Sequence, residues 1–277
     1  MVRADGELYQ GRVVLDERNI MSSKLDYSKD LVGRRALVTG GSRGIGATIA
    51  QRLIDAGAKV VLAARSRNEE TPAAATLVTG DVRTVEGVKA IAAGAIAALD
   101  GLDILVNNAG GSNGFPEGSA SIPEAEWQDV FALNFFSSVR MTNAVLPALR
   151  KSKNGAIVNI SSTAATMGAG AAPFAHYSAA KASLDAYSRI LAVELASKNI
   201  RVNVVTPGPV ITVGSDALRM KIGQEMGIPA EAWLQTVPLG RWGGTEDVAE
   251  VVALLVSDRG KWLTGVNYRV DGGMTAR

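Results

Sequence analysis

Ala36-Leu37-Val38-Thr39-Gly40-Gly41-Ser42-Arg43-Gly44-Ile45-Gly46 passes from a short apolar run into a cluster of glycines and then into helix-compatible sequence. An apolar run of this length reads as a strand buried on both faces. The glycines allow a tight turn and a close backbone approach, and the helix after them offers free amides and a positive dipole end to an anion. The spacing is G-x-x-x-G-x-G rather than the commoner G-x-G-x-x-G. In a chain with 30 glycines the cluster alone says little. Its place between strand and helix is what points to a phosphate-bearing ligand.

Working outward, short runs rich in Val, Ile, Leu and Ala recur at 36–39, 59–63, 76–79, 104–107, 156–160, 201–205 and 266–270. Helical stretches separate them at 44–56, 84–99, 124–149, 175–197 and 245–257. This alternation predicts an α/β, doubly wound parallel sheet of about seven strands, Rossmann-type, with helices on both faces in a single domain. Between the second and third strands only residues 65–75 are available, with Pro72 among them, so a loop or single turn is expected there rather than a helix. Residues 1–32 are charged and aperiodic and read as a loosely attached N-terminal extension, with 33–277 forming the domain. Met21-Ser22-Ser23 is an alternative start that would set residues 1–20 apart.

Composition removes several classes of function. The chain has 277 residues, 47% of them hydrophobic, and 29 basic against 27 acidic residues leave a formal charge of +2. Those charges are interleaved, without the basic stripe that nucleic acid requires. With no cysteine there is no disulfide, thiolate metal site or Cys nucleophile, and a single histidine, His176, rules out a His-rich metal centre. No apolar run approaches the ~20 residues that cross a bilayer, and no signal-peptide pattern opens the chain. A cytoplasmic protein without metal, membrane or nucleic-acid partner is expected.

Tyr177 and Lys181 stand four apart at the opening of the fourth helical stretch, on one helix face. A cation beside a phenol favours its ionised form, moving a poor proton donor toward the range where acid–base catalysis works. A rival pattern competes with this. Gly40-Gly41-Ser42-Arg43-Gly44 and Gly110-Gly111-Ser112-Asn113-Gly114 both match the G-x-S-x-G nucleophile elbow of serine hydrolases. Such a triad has only His176 to draw on, and His176 lies directly before Tyr177, which favours a role at the local surface or the substrate entrance.

From about Leu31 onward these residues resemble the short-chain dehydrogenase/reductase family, and the overall pattern is similar to 3-oxoacyl-[acyl-carrier-protein] reductases. The turn Gly40 to Gly46, the element Asn107-Asn108-Ala109-Gly110, Asn134, the pair Ser161-Ser162, Tyr177, Lys181, Pro207-Gly208 and Thr212 follow one another in the family's order. The resemblance implies Asn134, Ser162, Tyr177 and Lys181 as the catalytic set, with Ser161 the fallback for the serine. It implies that Ser162 polarises a carbonyl, that Tyr177 exchanges its proton, that Lys181 lowers the Tyr177 pKa and binds the nicotinamide ribose, and that Asn134 holds a relay water. Cofactor contacts are expected at Gly40, Ser42, Arg43, Ile45, Asn108, Ala109, Gly110, Tyr177, Lys181, Pro207, Gly208, Val210 and Thr212, with Asp81 and Val82 flanking the adenine.

The end of the second expected strand, Ala63-Ala64-Arg65-Ser66-Arg67, lacks the acid that NAD-selective folds place on the ribose. Arg65 and Arg43 suit a 2′-phosphate, so NADP(H) is preferred with NAD(H) possible. A lid over about 208–237 would present Leu218, Met220, Met226, Ile228, Trp233 and Leu234, either to a small-molecule carbonyl or alcohol substrate or to each other as core. The family resemblance also implies a homotetramer. A cofactor-binding regulatory protein on the same fold is the non-enzymatic alternative.

Overall fold

Strands covered on both faces are expected to be mostly apolar, and those at the centre of the sheet are, with Asn107, Asn159, Arg201, Asn203 and Thr206 as buried polar exceptions. In the computed structural model, which describes residues 29–276 apart from 228, 230, 231 and 233, β4 (Ile104–Asn107), β5 (Gly155–Ile160) and β6 (Ile200–Pro207) are buried along their whole length. β1 (Arg35–Thr39) and β2 (Lys59–Ala64) are nearly so, whereas the edge strands β3 (Thr76–Thr79) and β7 (Asn267–Val270) are half-exposed. All pairings are parallel and the order is β3-β2-β1-β4-β5-β6-β7. The chain moves outward from β1 through β3, then returns to place β4 on the other side of β1. Loops leaving the carboxyl ends of β1 and β4 therefore diverge, and a crevice opens between them.

Helices cover the sheet as two layers. α1 (Gly44–Asp55) lies on one face, with α7 (Thr245–Val256) packed beside it, and their cluster includes Ile49, Leu53, Leu62, Val106, Val158 and Val252. α2 (Val85–Leu99), α4 (Ser137–Leu149) and α5 (Ala175–Ala196) cover the other face around Leu37, Ile91, Leu105, Met141, Ile157 and Leu191. The segment 65–75 carries no helix, as its length and Pro72 require.

Two sequence expectations need correction. The helix expected over 124–149 is α3 (Glu124–Phe131), a π-turn over Ala132–Phe136, and α4. One inserted residue in the ladder leaves apolar periodicity almost unchanged, so the sequence hides it. The extension expected over 1–32 falls outside the described residues as far as 28, but 29–32 belong to the domain. Leu31 is 1% exposed in the first core cluster and its amide bonds the Ala56 carbonyl at 2.9 Å, while Asp30 pairs with Arg259 at 2.7 Å.

Candidate active site

The crevice is a cleft of about 860 Å³ running from the β2–β3 loop, past the glycine turn, to the start of α5. The turn after β1 is shaped for close approach. Gly40 and Gly44 have φ of +64° and +54°. A Cβ on Gly40 would sit 2.8 Å from the Ala109 Cα, and one on Gly46 would collide with the Gly40 carbonyl and the Asn108 amide. Asn108 locks this arrangement: its Nδ2 donates to the Thr39 and Gly40 carbonyls at 3.0 and 3.1 Å, and its backbone amide donates to the Thr39 hydroxyl at 3.0 Å. Asn107 points the other way, into a buried polar rung through Asn159 to Ser188 on α5, with bonds of 2.8 Å each. A glycine-rich turn at a helix N-terminus, with Arg43 and Arg65 lining the same cleft, fits the diphosphate and ribose end of a dinucleotide.

At the other end of the cleft, Ser162, Tyr177 and Lys181 come together. β5 ends at Ile160, and Ser162 turns over the cleft with its Oγ accepting from the Ala164 amide at 3.2 Å and hydrogen-bonding Tyr177. Ser161 is buried, and its Oγ has no hydrogen-bond partner among the described residues. Lys181 Nζ donates to the Ile160 carbonyl at 2.7 Å and lies 5.7 Å from the centre of the Tyr177 ring.

The electrostatics differ from the expected acidified phenol. Burial pushes the Tyr177 phenol above its ordinary value and the Ser162 hydrogen bond pulls it back. Lys181 is itself 2% exposed, and burial brings its pKa down to about 8 against the opposing pull of Asp185. The Lys181 ammonium is engaged by the Ile160 carbonyl on the side of β5.

Asn134 is fully buried in the π-turn and does not line the cleft. Its Oδ1 accepts from the Gly111 amide at 3.0 Å, and its Nδ2 donates to the Gly111 and Val130 carbonyls at 2.8 and 2.9 Å. The side chain expected to hold a water is thus committed to backbone, clamping the loop after β4. A Cβ on Gly110 would lie 2.8 Å from Asn134 Oδ1 and 3.2 Å from Lys181 Nζ, so the two residues border the same glycine.

Every other expected contact lines the cleft: Gly40, Ser42, Arg43, Ile45 and Arg65; Asp81 and Val82; Asn108, Ala109 and Gly110; Pro207, Gly208, Val210 and Thr212. Thr212 caps α6 (Val213–Met226), and its hydroxyl accepts from the Ser215 amide at 3.0 Å. In the expected lid, Val213, Gly214, Ser215 and Thr236 face the cleft. Met220 is 61% exposed and, like Leu234, does not line it. The side chains of Leu218 and Met226 and the residues Ile228 and Trp233 lie outside what the structure describes.

The cleft also contains residues that sequence reasoning passed over. Met167, Ala171 and Phe174 build an apolar wall near Tyr177. Arg83 joins Asp81 at 2.8 Å to Asp129 at 3.0 Å, and its hydrogen bonds hold the Asp81 carboxyl below the usual range. Glu70, from the β2–β3 loop, bonds the Gly44 amide at 2.7 Å. None carried a local signal, because each depends on which loops meet.

The hydrolase pattern meets its histidine in part. Ser112 Oγ lies 3.2 Å from His176 Nε2. His176 is not at the surface, however: it is fully buried between the rings of Phe115 and Trp127, and burial lowers its pKa. Its Nδ1 has no hydrogen-bond partner among the described residues, so the acid that would orient the ring is missing.

A family model described as Enoyl-(Acyl carrier protein) reductase matches residues 40–275. The 3-oxoacyl-[acyl-carrier-protein] reductase FabG of Escherichia coli K12 is 38% identical over 248 residues, covering 87% of this chain and 97% of the relative. Among solved structures, one described as a short-chain dehydrogenase/reductase from Burkholderia xenovorans superposes with a TM-score of 0.83 at 34% identity, over 90% of this chain and 99% of that one. A short chain dehydrogenase from Burkholderia cenocepacia J2315, solved in complex with NADP, gives 0.77 at 30% identity, over 88% and 99%.

Proposed function

The chain belongs to the short-chain dehydrogenase/reductase family, and from that premise we propose that it is an NADP(H)-dependent oxidoreductase interconverting a carbonyl and a secondary alcohol. The observation that carries the proposal is the meeting of Ser162, Tyr177 and Lys181 at one end of a cleft whose other end is a glycine turn with Arg43 and Arg65 beside it.

A nicotinamide cofactor, when bound, supplies or accepts the hydride. The chain's own residues do the rest. The turn from Gly40 to Ile45 would hold the diphosphate, Arg43 and Arg65 a 2′-phosphate, Asp81 and Val82 the adenine, and Asn108 to Gly110 with Pro207, Gly208, Val210 and Thr212 the remainder. Ser162 donates a hydrogen bond to the substrate oxygen and fixes it before the reaction. Tyr177 gives its proton to that oxygen in reduction and takes one back in oxidation. A phenol held in its protonated form by burial begins the reductive direction in the correct state. Lys181 keeps a positive charge behind the phenol, and Asn134 holds the loop that borders it. Burial of the active groups also excludes water from the proton's path.

Ile190 and Val193 on α5 are 69% and 81% exposed and Phe136 is 43% exposed. These exposed apolar residues, on α5 and in the π-turn before α4, would be covered in the proposed homotetramer. Among the described residues no helix is long and apolar enough to cross a membrane, which accords with a cytoplasmic enzyme.

NADPH oxidation followed with a panel of ketones, aldehydes and 3-oxoacyl thioesters tests the proposal. Turnover is expected with at least one class and is lost in Tyr177→Phe. Turnover that survives this substitution, or equal use of NADH, overturns the mechanism or the cofactor preference respectively.

A further inference from the structure

Helix α1 begins without a cap of its own. Its N-cap residue, Arg43, is extended, with φ of −154° and ψ of 167°, and offers no side-chain bond. The Gly44 amide is taken instead by the carboxylate of Glu70, 2.7 Å away and 26 residues along the chain. An anion is thus supplied internally at the helix end where amides and dipole favour one.

This carboxylate is delivered by a loop with its own bracing. Thr71, 7% exposed, donates from its hydroxyl to the Ser42 carbonyl at 3.0 Å, which ties the loop to the glycine turn. Asn68 Oδ1 accepts from the Glu70 amide at 3.0 Å. Arg67 donates to the Ala75 carbonyl at 2.9 Å. The loop would therefore keep its seat if Glu70 lost its charge.

Other carboxylates lining the cleft are engaged with side chains: Asp81 and Asp129 with Arg83, and Glu126 with Asn113. Glu70 alone among the described lining acids bonds the backbone of the glycine turn. Ala64 and Arg65, at the strand end that lacks an acid of its own, line the same cleft.

Resting on the NADP(H) proposal above, we infer that Glu70 is a specificity-determining residue of the cofactor cleft, capping Gly44 and opposing a 2′-phosphate that Arg43 and Arg65 attract. A carboxylate can accept from the hydroxyls of an unphosphorylated ribose, whereas against a phosphate it is a like charge. The chain then carries opposing determinants in one place, two guanidiniums and one carboxylate. Its preference for the phosphorylated cofactor is smaller than the arginines alone would set.

Calorimetric titration of the full chain with NADP⁺ and with NAD⁺ tests this without requiring turnover. Glu70→Gln keeps an oxygen to accept from Gly44 and removes the charge; Glu70→Ala removes both. In Glu70→Gln the affinity ratio for NADP⁺ over NAD⁺ is expected to rise about tenfold, the size of a charge-assisted contact. An unchanged ratio in Glu70→Gln, including equal tightening or equal loss for both cofactors, overturns the inference. The wild-type ratio separately tests the NADP(H) preference. A wild type that favours NAD⁺ refutes that preference, and the shift between wild type and Glu70→Gln still reads the role of Glu70.

Discussion

The wall around Tyr177 and the wall around Glu70 face one cleft but are made differently. The first is built from the ends of buried strands and a long helix: Lys181 is 2% exposed and bonded to the last residue of β5, and Asn134 is fully buried and bonded through both ends of its amide. The second is a loop, exposed over residues 65–70, that is held by single side-chain bonds from Glu70 and Thr71 to the glycine turn. Groups that must exchange a proton gain from burial, which excludes water and fixes geometry. Groups that admit and select a charged ligand must remain reachable by it. The difference teaches that one cleft can be rigid where bonds are made and adjustable where the cofactor is chosen.

Substitutions that act on one wall and spare the other give the sharpest tests of this contrast. The largest effect is expected from Ser162→Ala, which removes the fixed donor and should lower kcat about 10²–10³-fold. Calorimetry should find NADP⁺ affinity near the wild-type value; a matching loss of affinity would merge the two walls. Arg65→Ala should do the converse, weakening NADP⁺ about tenfold with little effect on NAD⁺ or on kcat at saturation. Equal weakening of both cofactors would show that Arg65 does not act on the 2′-phosphate.

A pH profile probes the buried wall. Burial holds the Tyr177 phenol protonated, whereas Lys181 loses its charge at about pH 8. Reductive kcat/KM should be level below that pH and fall above it, and a profile flat to about pH 10, where a free lysine titrates, would disprove the assignment. The linked stability has the opposite sense. The unfolded chain binds the Lys181 proton up to its ordinary pKa and the folded chain releases it near 8, so between those values stability rises with pH. In Lys181→Met this contribution should vanish from the pH dependence of Tm.

The smallest effect belongs to the loop. Thr71→Val removes its bond to Ser42 and should cost about 1 kcal/mol, a fall in Tm of about 2–4 °C. Thermal unfolding followed by circular dichroism checks this, and no change in Tm would mean that the loop is seated by other contacts.

How much could be read in advance follows the same division. The strands showed because burial on both faces demands uninterrupted apolar runs, and Tyr177 with Lys181 showed because helical spacing is a local property. The absence of a helix at 65–75 showed through its length and Pro72. The π-turn at Asn134 was hidden, since an inserted residue barely disturbs the apolar pattern of 124–149. Leu31 carries no such signal, because one apolar residue against Ala56 makes no pattern. The pairing of Glu70 with Gly44, of Arg83 with Asp81 and Asp129, and of Ser112 with His176 depends on loops meeting across the sheet.

From the chain's residues alone came the βα order, the doubly wound sheet, the glycine turn and the helix face that joins Tyr177 to Lys181. These follow from periodicity and from the conformational demands of glycine, and both act over a few residues. The tertiary structure alone decided that Ser162 rather than Ser161 meets Tyr177, that burial leaves the phenol protonated and brings Lys181 to about 8, and that a carboxylate caps the glycine turn. Desolvation and charge act through space, and distance in space is set only once the chain has folded.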